Sequence, residues 1–390
     1  MDAANNFPDP NDELLHQLLV AVERLIEHGM ERDEALTRAA EQMTKVLEET
    51  APTSAEAYET TGLEHVAQLR EYQEGFEERL RVHWGAALDL FQVVVEIIHQ
   101  ASQQFSDRNS HLAGDDATLL GVLHRLNGQA LRVAREVHAL ASAGYPLGAL
   151  SLSRTSHEIS VRAIVLSEFG STPGHTDLAE RFLRHADVIN YKDAVIYQRD
   201  VEKLGYEPFD DKTLNALRLR SDHAKSRYDK YFPSPYGWAS GLPGLPSPSP
   251  AFEHLEELAG LAHHRGLYKW SSHLVHADAK ALRLTMVERG GRSAILTAAT
   301  NQALADPAQH ALIGLYRTFV SLVTSVPISF YDLQICHVLS LLVDKTDHLL
   351  VDAERSVDQA EDRLQGELAK RGMRFDPIDG EVPLETDDLT

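Results

Sequence analysis

From Asp12 onward, apolar positions recur at three- and four-residue steps, the period of an amphipathic helix. Leu14, Leu15, Leu18, Leu19, Val22, Leu25 and Ile26 predict a first helix, which Gly29 stops with a left-handed cap. Leu36, Ala39, Ala40, Met43, Val46 and Leu47 predict a second, antiparallel to it and ended by Pro52. Ser54 to Ser106 reads as a long charged helix whose span from Leu88 to Ile98 is apolar almost all round and expected to be deeply buried. Further helices are predicted from Ala117 to Ser142 after Asp115 or Asp116, and from Pro146 to Phe169 with proline in the first turn. Beyond the Thr172-Pro173-Gly174 break come His175 to Leu204, closed by Gly205, and a helix from Asp210 or Asp211 to Lys230.

The pattern then changes. Phe232 to Pro250 carries six prolines and three glycines and reads as a long irregular loop, of the kind used for lids, binding or linkage. Its aromatics Phe232, Tyr236 and Trp238 are expected to pack against the protein. Helical patterning resumes from Ala251 to Met286, where Leu282, Leu284 and Met286 alternate, as do Ala294 and Leu296 beyond Arg289-Gly290-Gly291-Arg292. A small hairpin is predicted within 282–297. Asp306-Pro307 opens a last helical region to about Lys370, apolar up to Val343 and charged afterwards. The fold class expected is all-α, a multi-helix bundle with long helices and this one hairpin. Its divisions are a disordered lead-in at 1–11, an N-terminal helical region at 12–114, a central helical domain at 115–300 with the proline-rich loop at 232–250, C-terminal long helices at 301–372 and an acidic disordered tail at 373–390.

Charge narrows the function classes. The net charge of −22 over 390 residues repels a phosphate backbone across most of the surface, so generic coating of nucleic acid is excluded while a local basic groove stays open. Lys212 to Lys230 is one such patch, with Arg218 and His223 in it, and it reads either as an RNA contact or as a solvated helix face. A single cysteine, Cys336, excludes an intramolecular disulfide, and the chain does not open with a secretory signal, so a cytoplasmic location is expected. Thr318 to Tyr331 is uncharged but falls short of a membrane span and contains Pro327, so it reads as buried helix and no membrane partner is expected.

Two rows carry candidate chemistry. Arg154, Glu158 and Arg162 stand at four-residue steps, as a solvated ladder or as paired charges turned inward. Tyr268, Ser272 and His276 form a second row, with Lys269 and His273 parallel to it. A histidine near a hydroxyl suits a base beside a nucleophile, but Asp278 is badly spaced to orient His276, and a structural polar seam explains the row equally. The Glu-x-x-His pairs Glu13/His16 and Glu96/His99, and His273 with His276, arise by accident among 20 histidines, so neither metal nor cofactor is expected.

The helix Gly148-Ala149-Leu150-Ser151-Leu152-Ser153-Arg154-Thr155-Ser156-His157-Glu158, followed by the Tyr268, Ser272, His276 helix, resembles a family of uncharacterised bacterial helical proteins over about Leu119 to Thr297. That layout is similar to abortive-infection proteins and to HEPN-type helical ribonucleases. The sequence departs from the latter in having no Arg-x(4–6)-His on the Tyr268 helix. The resemblance implies a defence or toxin protein acting on RNA, a ribonuclease-like hydrolase if an enzyme. Arg154, Glu158, Tyr268, Ser272 and His276 would then be catalytic, and His273, Lys269, Arg218 and His223 would bind substrate. The rival expectation is a non-enzymatic helical scaffold in which long helices build a homo-oligomer or hold a protein partner.

Overall fold

The structure, a computed structural model, describes residues 10–276, 278–284, 286–289, 292–295 and 297–371. The lead-in before residue 10 and the acidic tail after residue 371 lie outside them. Contacts divide the chain into two units, 1–76 and 77–390.

In the first unit, helix α1 (Pro10–Glu27) turns at Gly29, where φ is +92°, into helix α2 (Arg32–Arg108). Val22, Ala35 and Ala39 make a small core with Leu18, Leu25 and Met30 around it. The expected stop at Pro52 is not made, and α2 runs through it. Every residue from 44 to 61 is exposed, so the Glu48 carbonyl that loses its donor at position 52 faces water. The cost stays near the intrinsic ~3 kcal/mol, which a long helix can absorb.

The second unit begins in the apolar end of α2, where Trp84, Phe91, Val94, Val95, Ile98 and Phe105 are almost fully buried. Length and composition alone would let α2 cross a membrane. The six residues just named pack into a protein core, and Trp84 Nε1 donates to the Asn301 carbonyl at 3.0 Å.

Helices α3 (Gly114–Ser142), α4 (Pro146–Gly170) and α10 (Ala305–Thr324) pack against one another, and α11 (Phe330–Lys370) lies on α10. Helix α5 (Leu178–Leu204) packs on α3 and α4, and α6 (Asp211–Arg227) packs on α5. Asp210 caps α6 by accepting from Thr213 N–H at 2.6 Å. The all-α reading holds.

Helix α4 meets α10 through small residues. Ser153, Ser156 and Ser160 are buried, and Ser156 Oγ donates across to the Ala311 carbonyl at 3.1 Å. A Cβ on Gly314 would lie 2.3 Å from Ser156 Oγ and 3.1 Å from its backbone carbonyl, so only glycine permits this approach.

Three expectations change. The region from Ala251 to Met286 is broken into α7 (Phe252–Leu258), a 3-10 turn at Ala262–His264, α8 (Arg265–His276) and α9 (Ala279–Leu284). The hairpin pairs β1 (Met286–Arg289) with β2 (Arg292–Ile295), Met286 facing Ile295, so Leu282 belongs to α9 and not to a strand. The stretch from Thr318 to Tyr331 is buried helix only to Val323; Pro327 then breaks it, and Phe330 is 82% exposed.

The loop at 232–250 folds onto α5. Phe232 and Trp238 are buried, Trp238 edge-on to Phe182 at 5.1 Å, and Arg181 donates to the Ser240 carbonyl at 2.9 Å.

Candidate functional site

Because α4 gives its small residues to α10, the row Arg154, Glu158, Arg162 falls on another face, toward α7 and α8, which both pack on α4. The three side chains are half-buried, at 19, 20 and 23% exposure, and together they form a network. Glu158 accepts from Arg162 at 3.0 Å and from the Tyr268 hydroxyl at 3.1 Å, while Arg154 donates to the same hydroxyl at 2.9 Å. The Arg154 guanidinium also lies over the Tyr268 ring, 4.7 Å from its centroid, a cation–π contact. Burial pushes the Tyr268 hydroxyl above its ordinary range, which suits its role as donor to a carboxylate.

A second carboxylate organises the adjoining wall. Glu256 of α7 is fully buried, hydrogen-bonded to His157 Nε2 at 2.8 Å and to Arg265, whose other nitrogen reaches Glu253 at 2.7 Å. Burial pushes the Glu256 carboxyl up, but the hydrogen bonds from His157 and Arg265 outweigh it and hold it below the usual carboxylate range. An ionised carboxylate only accepts, so His157 Nε2 is the donor, and in the neutral ring the lone pair is on Nδ1. Phe252 backs the group, 4.9 Å from Tyr268 and 6.0 Å from His157 between ring centroids. Tyr236, from the proline-rich loop, lies 5.9 Å from Phe252.

Beside this network a small pocket opens between α4, α8 and α10, with a cavity volume of about 30 Å³. Arg154, His157, His264, His310 and Arg317 are among its lining residues, and no carboxylate is. Arg317 donates to His264 Nε2 at 3.0 Å, which fixes that nitrogen as an acceptor and the imidazole as neutral. Burial, reinforced by the Arg317 charge, pushes His264 down to about 4, and burial also lowers His310.

Of the residues singled out in the sequence, Arg154, Glu158 and Tyr268 are brought together. Ser272 is half-buried and one helical turn away. His276 is exposed at the end of α8. His273 pairs with Asp278 at 2.5 Å, so the carboxylate badly spaced for His276 serves its neighbour. Lys269 is exposed. Arg218 and His223 lie on exposed positions of α6, Arg218 donating to Asn215 at 2.8 Å and pairing with Asp222 at 3.5 Å. Glu96 and His99 face Arg135, at 3.0 and 3.3 Å.

Residues 120–293 match the model of a family of unknown function (DUF5677). No curated protein and no solved structure matches the chain. The matched span takes in α4, α7 and α8, hence Arg154, His157, Glu158, Glu256, Arg265 and Tyr268, and ends before His310 and Arg317.

Proposed function

We propose that the chain acts on RNA at the cleft between α4, α7 and α8. The single observation that supports this most is the buried Glu256 shared by His157 and Arg265, within reach of a half-buried Arg154 and Tyr268. A carboxylate-held imidazole with a free Nδ1 has the form of a general base, and guanidiniums beside an aromatic ring suit a phosphate with its attached base. In this reading His157 Nδ1 takes the proton of a ribose 2′-hydroxyl, the resulting oxygen attacks the adjacent phosphorus, and the bond to O5′ breaks. Arg154 stabilises charge on the phosphate oxygens. The O5′ leaves as a hydroxyl with a proton from solvent, giving a 2′,3′-cyclic phosphate. The sequence resemblance to abortive-infection and HEPN-type proteins supports a setting in cytoplasmic defence or toxicity, with His157 in place of the base first sought in α8.

The binding half of the proposal is tested by amide hydrogen exchange with an uncleavable 2′-O-methyl oligoribonucleotide. The expected result is protection within 146–170 and 252–276. Protection confined to the basic patch at 211–227 contradicts it.

A second reading, as a helical assembly protein, is favoured by α2. Tyr58, Val66, Leu69 and Tyr72 are 68, 38, 51 and 68% exposed and fall within about a third of the helix circumference at 3.6 residues per turn. In this reading a second copy covers them. Sedimentation is expected to show a dimer that Leu69→Glu dissociates; a wild-type monomer at micromolar concentration removes the reading.

A further inference from the structure

The cleft contains more positive charge than its carboxylates neutralise. Glu158 is taken by Arg162, Arg154 and Tyr268, and Glu256 with Glu253 by Arg265 and His157. Arg317 of α10 is left without a carboxylate within ion-pair distance among the described residues, and the hydrogen bond its guanidinium makes there goes to a neutral imidazole. It is half-buried, and burial alone lowers its affinity for its proton. Arg154 is paired with Glu158 but keeps an unused donor, since its buried Nε has no hydrogen-bond partner. Both guanidiniums line the same pocket, in a chain of net charge −22 whose surface gives cations no shortage of carboxylates. A buried cation without a counter-ion is costly, and an anion entering the site recovers that cost.

The shape limits what the anion can be. A cavity volume of about 30 Å³ compares with the ~10–15 Å³ that admits one water, so the interior of the pocket accepts a few oxygen-sized positions, while a sugar or a base stays at its mouth in the cleft. Its other polar walls are His157, His264 and His310, with the hydroxyl-bearing Ser153, Tyr268 and Ser271. His264 must present Nδ1 as N–H, because Nε2 accepts from Arg317.

We propose that Arg317 and Arg154, with His264, form a pocket for a single phosphate dianion, free or as a terminal monoester, seated between α4, α8 and α10. Two guanidiniums offer donors to the dianion, and a phosphate at a chain end can enter a pocket this small, which a continuous phosphodiester backbone does not fit. Its source is either inorganic phosphate or the end of the RNA; the second source rests on the function proposed above. The groups facing His264 are Arg317 and His310 from α10, His157 from α4 and the neighbouring His263, none of them acidic.

The test is a calorimetric titration of the full chain with inorganic phosphate, and with one oligoribonucleotide made in 5′-phosphate, 3′-phosphate and hydroxyl-ended forms. Saturable binding of phosphate, or of one phosphorylated end over the hydroxyl-ended form, is expected. Arg317→Gln should weaken it at least tenfold and Lys45→Ala, on α2, should leave it unchanged. Should Arg317→Gln unfold, Arg154→Gln carries the same expectation, with circular dichroism verifying the fold. Equal affinity in a folded Arg317→Gln or Arg154→Gln variant, or no preference for any phosphorylated form together with no binding of inorganic phosphate, overturns the pocket. Phosphate binding that persists in a protein unable to cleave RNA sustains the pocket and removes the proposed reaction, so the two ideas fail separately.

Discussion

Glu256→Ala is expected to cost the protein about 3 kcal/mol or more, the range found when one member of a buried ion pair is removed. Glu256 has no exposed surface, and its two oxygens are occupied by His157 and Arg265. The substitution leaves Arg265 with only Glu253 and leaves the His157 N–H without its acceptor. Urea unfolding measures the loss, and repeating it with Arg265→Ala in both backgrounds isolates the coupling. The contribution also has a pH signature. The folded Glu256 carboxyl is held below its ordinary value of 4.5, so it stabilises the fold above that pH and the benefit is lost as pH falls below it. A Glu256→Ala protein within 1 kcal/mol of wild type, with an unchanged acid transition, would show that the carboxylate is not the organising group of this wall.

How much of this was legible in the sequence varies with the physics of each element. Long amphipathic helices were readable because burial follows periodicity, and Gly205, Asp210 and Pro146 marked ends by local backbone chemistry. The buried face of helix α4 was the exception. It is built of Ser153, Ser156 and Ser160, which hydropathy scores as surface, but each hydroxyl finds a carbonyl and can therefore be buried. Arg154 and Glu158 could be found because i,i+4 spacing fixes a shared face on α4, and Tyr268 because it heads a row of the same kind on α8. Ser272 and His276 continue that row in sequence, but their helix α8 extends beyond the contact with α4 that Tyr268 makes. His157, Glu256 and Arg317 were missed for a different reason. They come from three helices, and local spacing cannot bring α4, α7 and α10 together. His157 stood inside the quoted motif, yet its significance depends on a carboxylate 99 residues away.

That distinction also sets the second large effect, which is on chemistry and not on stability. His157 is held by Glu256 with Nδ1 unbonded among the described residues, and it lines the pocket with Arg154. His276 is exposed on α8. Removing a general base typically costs about 10²–10⁴ in rate. The deciding measurement is the cleavage rate of a single-stranded oligoribonucleotide by wild type, His157→Ala and His276→Ala, with the 2′,3′-cyclic phosphate as the product scored. The account predicts that wild type forms this product, that His157→Ala loses about 10²–10⁴ of the rate while still binding RNA, and that His276→Ala keeps it. Absence of product with wild type, or a fully active His157→Ala protein, would contradict it.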